Sequence, residues 1–320
     1  MLTLFSTAKP FHGHNGIIQR NALKSWTLLH PSVEIILFGD DEGAAEVCAE
    51  YGLRHEPHVE RHESGVKRLN YIFARAQEIA LHDHLCFSNC DIVFMQDFWT
   101  VFQIACSWRN RFLLVGQRWD TDVTEPIDFN QPDWADEFRQ FALSKGFQQD
   151  AYWIDFFLFS KGLYADMPPL LVGHCYWDNW MIWKALSSRV PVLDASRFLV
   201  PIHQNHGYNA KFGRIKGVPT DALSMENLEL IGGRKHIRVI KSSTHTIASD
   251  GRIGLHLSRY TNEYTLPNRK LWQPFVYKLW QPFLYKVWLP AWHFVLRVTR
   301  PVRSALGLRS AAMRRFRSRV

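Results

Sequence analysis

Three short stretches carry residue types that could do chemistry. The first is Asn89-Cys90-Asp91, inside CFSNCDIVFMQD (86–97), where an amide and a carboxylate interrupt an apolar, strand-like run that then resumes. A carboxylate at the exposed end of a strand can hold a divalent cation that also binds phosphate oxygens. Mg²⁺ and Mn²⁺ accept oxygen ligands and commonly pair one or two carboxylates with substrate phosphates. A polar bulge or turn accounts for the same residues without a metal. The second stretch is YWDNW (176–180), which sets Asp178 and Asn179 between Trp177 and Trp180 at the start of a helical pattern. Asp or Asn at that place either caps the helix by accepting its free N–H groups, or offers a carboxylate beside aromatic faces. A sugar has an apolar C–H face and polar hydroxyls, so the second reading makes Asp178 a general base toward an acceptor hydroxyl. The third is IHQNHGY (202–208), a loop dense in His and Asn. His203 and His206, three apart, could add a nitrogen ligand to a metal held by Asp91.

The elements that must position these residues follow from periodicity. Strand-like runs LTLFSTA (2–8), VEIILFGDD (33–41), HLCFSNCDIVF (84–94) and FLLVGQRWD (112–120) alternate with helical patterns at 17–29, 42–52, 68–81 and 97–107. This β-α-β-α order predicts an α/β fold with a mostly parallel sheet covered by helices. Ligands bind such sheets beyond the carboxyl ends of the strands. Lys9, Asp40, Asp41, Asn89, Asp91, Arg118 and Asp120 all stand at the ends of these runs. Beyond a polar stretch containing TEPIDFNQPDW, WIDFFLFSKGLY (153–164) reads as a strand pair or buried extended segment. WDNWMIWKALSS (177–188) reads as a helix, and VPVLDAS (190–196) as a strand.

The net charge of +8 is not spread evenly. From Tyr264 to Val320 there are 12 Lys and Arg and no Asp or Glu, leaving 26 basic against 30 acidic residues in the first 263. Basicity therefore belongs to the tail, and nucleic acid is an unlikely partner for the protein as a whole. The five cysteines form no CxxC pair, which argues against a disulfide framework or a structural zinc site. The opening MLTLFSTAKP carries no basic leader, and no uncharged apolar run of membrane-spanning length follows. The expectation is a cytoplasmic protein.

Taken in order, these motifs resemble the GT-A class of nucleotide-sugar glycosyltransferases. The series is FSTAKPFHGHNGIIQRNALKSW, EIILFGDDEG, VKRLNYIFARA, FSNCDIVF, FLLVGQRWD, IDFFLFSKGLYADMPP, WDNWMIWKAL and IHQNHGY, spanning roughly residues 1–245. The resemblance implies a Rossmann-type mixed sheet flanked by helices over 1–265. Residues 1–120 would form the nucleotide-binding half and 121–265 the acceptor half. It places Thr7, Lys9, Asp40 and Asp41 near base and ribose, and Arg20 and Arg68 toward the diphosphate. Asn89 and Asp91 match the family's Asp-x-Asp metal element, with Asn in its first position. Asp178 matches the acceptor-side acid, flanked by Trp177 and Asn179 as acceptor-binding residues. His203 or His206 matches the late metal histidine. The implied cofactor is Mn²⁺ or Mg²⁺, and the implied donor a nucleotide diphosphate sugar. The implied reaction is sugar transfer to a hydroxyl of a glycan or lipid-linked acceptor, in cell-surface or lipid-linked glycan synthesis. A non-catalytic carbohydrate- or nucleotide-binding relative and a nucleotidyltransferase are the alternatives.

The tail, 266–320, repeats with a period of eight: LWQPFVYK, LWQPFLYK, then VWLPAWHF, with Pro274, Pro282 and Pro290 in register. Eight arginines follow between 297 and 320. Aromatic rings settle at headgroup level and cations attract anionic lipid. The tail is therefore expected to hold the protein peripherally on the inner face of the membrane; a disordered solvated tail and an RNA- or protein-binding arm are the alternatives.

Overall fold

The computed structural model of the protein describes residues 1–206, 214–215, 218–219 and 221–260. Chain packing separates a unit Met1–Thr265 from a second, Leu266–Val320. The tail expectations, and the end of IHQNHGY from Gly207 onward, lie outside the described residues.

The chain opens with β1 (Leu2–Thr7), α1 (Gly13–Thr27), β2 (Glu34–Phe38), α2 (Ala44–Tyr51), β3 (Arg54–Glu56), α3 (Leu69–Ile79) and β4 (His84–Ser88). Strand β1, LTLFST, is buried almost throughout because both faces are covered. Leu2 and Leu4 pack with Leu23 and Trp26 of α1, while Phe5 packs on the other side with Phe73 of α3. Parallel strands are commonly buried on both faces in this way. Strand β1 pairs in parallel with β2 and with β4, and β2 with β3, so their carboxyl ends share one edge.

Two runs that read as single strands are each split in two. After β4 the chain leaves the main sheet at Asn89–Asp91 and re-enters pairing as β5 (Ile92–Val93), followed by α4 (Gln96–Trp108). The next run divides into β6 (Leu113–Val115) and β7 (Trp119–Thr121), separated by Gly116–Arg118. After α5 (Trp134–Lys145) and β8 (Phe147–Gln148), the stretch 153–164, expected as a strand pair or a buried extended segment, is the second of these: one buried strand, β9 (Phe156–Ser160). It inserts antiparallel between β4 and β6 and makes the sheet mixed. Helix α6 (Trp177–Ser187), β10 (Val192–Asp194) and β11 (Ile202–Gln204) follow. The short β12 (Arg214–Ile215) and β13 (Val218–Pro219), then α7 (Ala222–Leu230), β14 (His245–Ile247) and β15 (Ile253–Leu255) complete the order.

The main sheet has nine strands in the order β15-β14-β10-β6-β9-β4-β1-β2-β3, and a smaller sheet has the order β5-β11-β7-β8. The fold is mixed α/β with helices on both faces of the large sheet. The chain crosses from the large sheet to the small one at Asn89–Asp91, at Gly116–Arg118 and again between β10 and β11; the first two lead into β5 and β7. The IHQNHGY stretch, expected as a loop, begins as β11, the strand held between β5 and β7. Its polar residues are tolerated because neighbouring strands on both sides satisfy its backbone. Among the described residues no helix is long and apolar enough to cross a membrane.

Candidate functional site

Register in the small sheet assembles the first group. Strand β11 pairs His203 with Ile92 of β5 on one side and with Asp120 of β7 on the other. Asp91, one residue before Ile92, therefore meets His203, and His206 follows from the end of β11. Asp91 Oδ2 lies 3.1 Å from His206 Nε2 and 3.7 Å from His203 Nε2. One donor atom from each of the three lies within 4.8 Å of the others. Gln204, buried, donates from Nε2 to the Asp91 and Ile18 carbonyls and so ties β11 to β5 and α1. Burial alone would push the Asp91 carboxyl up. The charges of His203 and His206, the hydrogen bond from His206 and the nearby Lys9 outweigh it and hold Asp91 well below the usual carboxylate range.

A second chain of polar contacts runs from this group across the seam between the sheets. His203 Nδ1 lies 3.3 Å from Asp120 Oδ1. Arg118 donates from Nε to Asp120 Oδ1 at 2.7 Å and from Nη1 to Asp155 Oδ2 at 2.5 Å. Asn89 Nδ2 donates to Asp155 Oδ1 at 2.5 Å. Arg118 is only 2% exposed, and its guanidinium lies 5.1 Å from the Trp153 ring centroid. Burial pushes the Asp120 carboxyl up, but hydrogen bonds and charge from His203, Arg118 and Gln149 hold it below its ordinary value.

Two features of this group fit a cation. Asp91 Oδ1 is buried and, among the described residues, has no hydrogen-bond partner, a costly arrangement for a carboxylate oxygen unless a ligand satisfies it. In addition, Asp120 and Asp155 set two carboxylates around the guanidinium of Arg118, and His203 lies between Asp120 and Asp91. Two imidazoles with one carboxylate suit Mn²⁺ better than Mg²⁺, which prefers oxygen throughout.

Asp178 belongs to the same region. Helix α6 starts after Tyr176, an N-cap residue in the left-handed region (φ 82°) with no side-chain cap bond, so Asp178 sits in the first turn and is not the N-cap. Burial pushes its carboxyl up to about 7. A backbone hydrogen bond from Asn179 opposes the shift, the charge of Asp155 adds to it, and Arg118 offsets part of it. A carboxyl poised near neutrality is matched to proton transfer.

The carboxyl ends of β1 and β2 form a separate polar cluster around Lys67, the second residue before α3. Its ammonium donates to Thr7 Oγ1 at 2.8 Å, to the Ala8 carbonyl at 2.6 Å and to the Asp41 carboxylate. Gly39 has φ 109° and packs so closely that a Cβ there would lie 2.7 Å from Asp41 Oδ2 and 2.9 Å from Lys67 Nζ. Only glycine fits between them.

The structure thus joins Thr7 to Asp41 through Lys67, Asp91 to His203 and His206 with Lys9 nearby, and Asn89 to Asp155. Other residues named from the sequence are engaged elsewhere. Arg20 pairs with Glu50 of α2, Asp40 with Arg61, and Arg68 donates to the Pro169 carbonyl. The Trp177 ring, 5% exposed, is packed edge-on against Phe87 and tilted against Phe157, each at 5.5 Å, so it anchors α6 in the core and presents no open face to a sugar. Asn179 is buried, with Nδ2 unpartnered among the described residues. Lys67 and Asp155 escaped the sequence reading, and Arg118 and Asp120 entered it only as strand ends. A lysine directly before an apolar helix, and a carboxylate directly before the all-apolar FFLF, were the available signals.

No family model matches the chain, and no curated protein matches it. Solved structures do resemble it. Staphylococcus aureus TarS 1–349 in complex with UDP-GlcNAc shares 10% identity over 72% of this chain and 65% of that one, with a TM-score of 0.47. Glucosyl-3-phosphoglycerate synthase from Mycobacterium tuberculosis, with Mn²⁺, UDP and glucosyl-3-phosphoglycerate, shares 10% identity over 64% and 72%, with a TM-score of 0.39. The mannosyltransferase PcManGT from Pyrobaculum calidifontis, with GDP-Man and Mn²⁺, shares 11% identity over 65% and 58%, with a TM-score of 0.39. The chain spans less than two thirds of the length of the TarS 1–349 structures, 60% in another of them. These likenesses concern architecture alone.

Proposed function

We propose that the protein is a glycosyltransferase that moves a sugar from a nucleotide diphosphate sugar to a hydroxyl. The observation that carries this reading is the convergence, at the seam of two sheets, of Asp91, His203 and His206 with the Arg118–Asp155–Asp178 region. Asp91, His203 and His206 would hold a divalent cation, Mn²⁺ by the character of the donors. When bound, the cation neutralises negative charge growing on the leaving diphosphate. Lys9, exposed and near Asp91, adds positive charge at the same place. The Thr7–Lys67–Asp41 cluster, beyond β1 and β2, is where an α/β sheet of this kind takes its nucleotide. Asp178 takes the proton of the acceptor hydroxyl or orients that hydroxyl, depending on whether the reaction inverts or retains. The tail sequence supports attachment to an anionic cytoplasmic leaflet, which would raise the local concentration of a lipid-linked or surface glycan acceptor.

The test is a panel of UDP- and GDP-sugars scored for thermal stabilisation and donor hydrolysis, with and without Mn²⁺. A donor that stabilises the wild type only with Mn²⁺, and no longer stabilises Asp91→Ala, supports the reading. Binding without hydrolysis or transfer favours a non-catalytic binding protein. Release of pyrophosphate with nucleotide incorporation assigns the protein to nucleotidyl transfer.

A further inference from the structure

We infer that the edge of the large sheet at β15 is a second lipid contact, on the folded unit itself: Leu255 and Leu257 enter the headgroup layer of an anionic bilayer, and Arg109 and Arg259 meet its phosphates. The inference rests on the tail attachment proposed above and adds a surface that the tail does not include. Leu255 is 67% exposed and Leu257 69%, and among the described large apolar residues only Met1 and Leu81 match them. A single exposed leucine is ordinary on a protein surface, but these two stand beside a tryptophan and two cations. Strand β15 pairs antiparallel with β14, with Leu255 opposite His245, so both side chains stand on one face of the sheet. On that face the half-buried Trp108 ring, at the end of α4, packs against the His245 ring at 4.7 Å. The exposed Arg109 guanidinium lies 4.8 Å from the Trp108 ring centroid. Burial, and then the positive charges of Arg109 and Arg259, hold the His245 imidazole below its ordinary range, so both cations lie close to that ring.

The composition fits lipid rather than a protein strand. Strand β15 is outermost in its sheet, but at three residues it is too short to template strand addition. An indole settles at headgroup level, leucines enter the apolar boundary, and arginines attract anionic lipid. The acid nearest to Leu255 along the chain, Asp250, is already paired with Arg252 at 2.6 Å, which leaves the charge of Arg109 and Arg259 to the patch. The short 3₁₀ turn Leu257–Tyr260 leads within a few residues into the stretch from Tyr264 onward, which carries 12 cations and no acids. Two cations and two leucines are too few to retain the protein on a bilayer alone. Once the tail holds the chain there, tethering raises the effective concentration of the patch at the lipid surface and lets it engage.

The experiment uses the full chain and vesicles of equal parts phosphatidylglycerol and phosphatidylcholine. Hydrogen exchange of the segment 251–257 is followed with and without vesicles, and partition is measured by sedimentation across a range of lipid concentrations. The expected result is slower exchange of 251–257 on vesicles. Arg109→Gln should partition about fivefold more weakly, the loss of one cation near an anionic bilayer. Leu255→Ser/Leu257→Ser should partition at least about tenfold more weakly. Leu81→Ser removes an equally exposed leucine that precedes β4 and should partition as the wild type does. Unchanged exchange on vesicles, or wild-type partition in both patch variants, overturns the inference and leaves the tail attachment standing. A loss in Leu81→Ser equal to that of the leucine pair overturns it too. Slow exchange of 251–257 already in solution, lost in a chain ending after Thr265, makes the tail itself the occupant and overturns the lipid contact. A wild type that does not partition into these vesicles overturns the tail attachment, and the inference falls with it.

Discussion

Asn89 is bound twice to Asp155: its side-chain Nδ2 donates to Oδ1 at 2.5 Å, and its backbone N–H donates to the Asp155 carbonyl at 2.8 Å. The amide in the first position of the Asp-x-Asp-like element is therefore committed. It is the donor that lets Asp155 share a buried site with Arg118, and a carboxylate there would have no proton to give. Asn89→Asp would complete an Asp-x-Asp sequence but places two carboxylates in contact. We expect it to lower the denaturation midpoint, with a cost of about 1–3 kcal/mol for the unsatisfied buried group, and to leave Mn²⁺ binding no tighter. Calorimetric Mn²⁺ titration of the variant checks this, and a clear gain in affinity would show that position 89 faces the metal.

Lys67 occupies a comparable position beyond β1 and β2, at the proposed nucleotide site. Burial lowers its pKa, and its hydrogen bond and charge interaction with Asp41 counter part of that shift. Lys67→Met keeps the length of the stem but leaves Asp41 and the Ala8 carbonyl without their common donor. Breaking a buried pair by removing one partner costs about 3–5 kcal/mol. The expected result is a strongly destabilised protein that has lost stabilisation by nucleoside diphosphates. The double variant Lys67→Met/Asp41→Leu should recover much of the stability but none of the nucleotide response. Urea melts with and without UDP or GDP measure both effects, and nucleotide stabilisation retained in the double variant would remove this cluster from the binding site.

The strand ends were legible because hydrophobic periodicity stops there: Lys9, Asp41, Asn89, Asp91, Arg118 and Asp120 all stand at or beside the edge where the site forms. The seam between the sheets was not legible. Ile92-Val93-Phe94 resumes the apolar pattern after Asp91, so periodicity alone cannot tell that those residues pair in another sheet. For the same reason Trp119 and Asp120, which open β7, read as the end of the preceding strand. His203-Gln204 reads as loop on composition, and its strand character comes only from partners distant along the chain. The Asn89–Asp155 contact spans 66 residues, and nothing local to either residue announces it. Trp177 misled because an aromatic beside a carboxylate suits a sugar site and a core equally well, and burial decides between them.

The tail makes a prediction that rests on sequence alone. A chain ending after Thr265 loses 12 positive charges, each contributing about 1 kcal/mol near an anionic bilayer. Full-length protein should sediment with vesicles containing phosphatidylglycerol, and less so as salt rises. The truncated protein should remain in the supernatant under all conditions. Equal sedimentation of the two would remove the tail from membrane attachment.

Asp178 gives the pH dependence. Its carboxyl is pushed up to about 7 in the folded protein from an ordinary value of 3.8, chiefly by burial. Between those two values the folded state keeps a proton that the unfolded chain has released. Its contribution to stability therefore falls as pH rises through that window and levels off above about 7. Asp178→Asn removes this slope. It should match the wild type near pH 3.8 and become progressively more stable than it toward about 7, by up to a few kcal/mol. A general base must be ionised, so wild-type kcat/KM should rise with pH through about 7, while Asp178→Asn should lose about 10²–10⁴-fold of the transfer rate. Chemical denaturation across the pH range and a pH–rate profile test the two effects independently. A substitution that stabilises at neutral pH and abolishes transfer is the signature of a carboxyl held at an energetic cost for its chemistry. An Asp178→Asn protein that transfers sugar at the wild-type rate would leave Asp178 as a buried residue of the α6 first turn and move the search for the base elsewhere along the same seam.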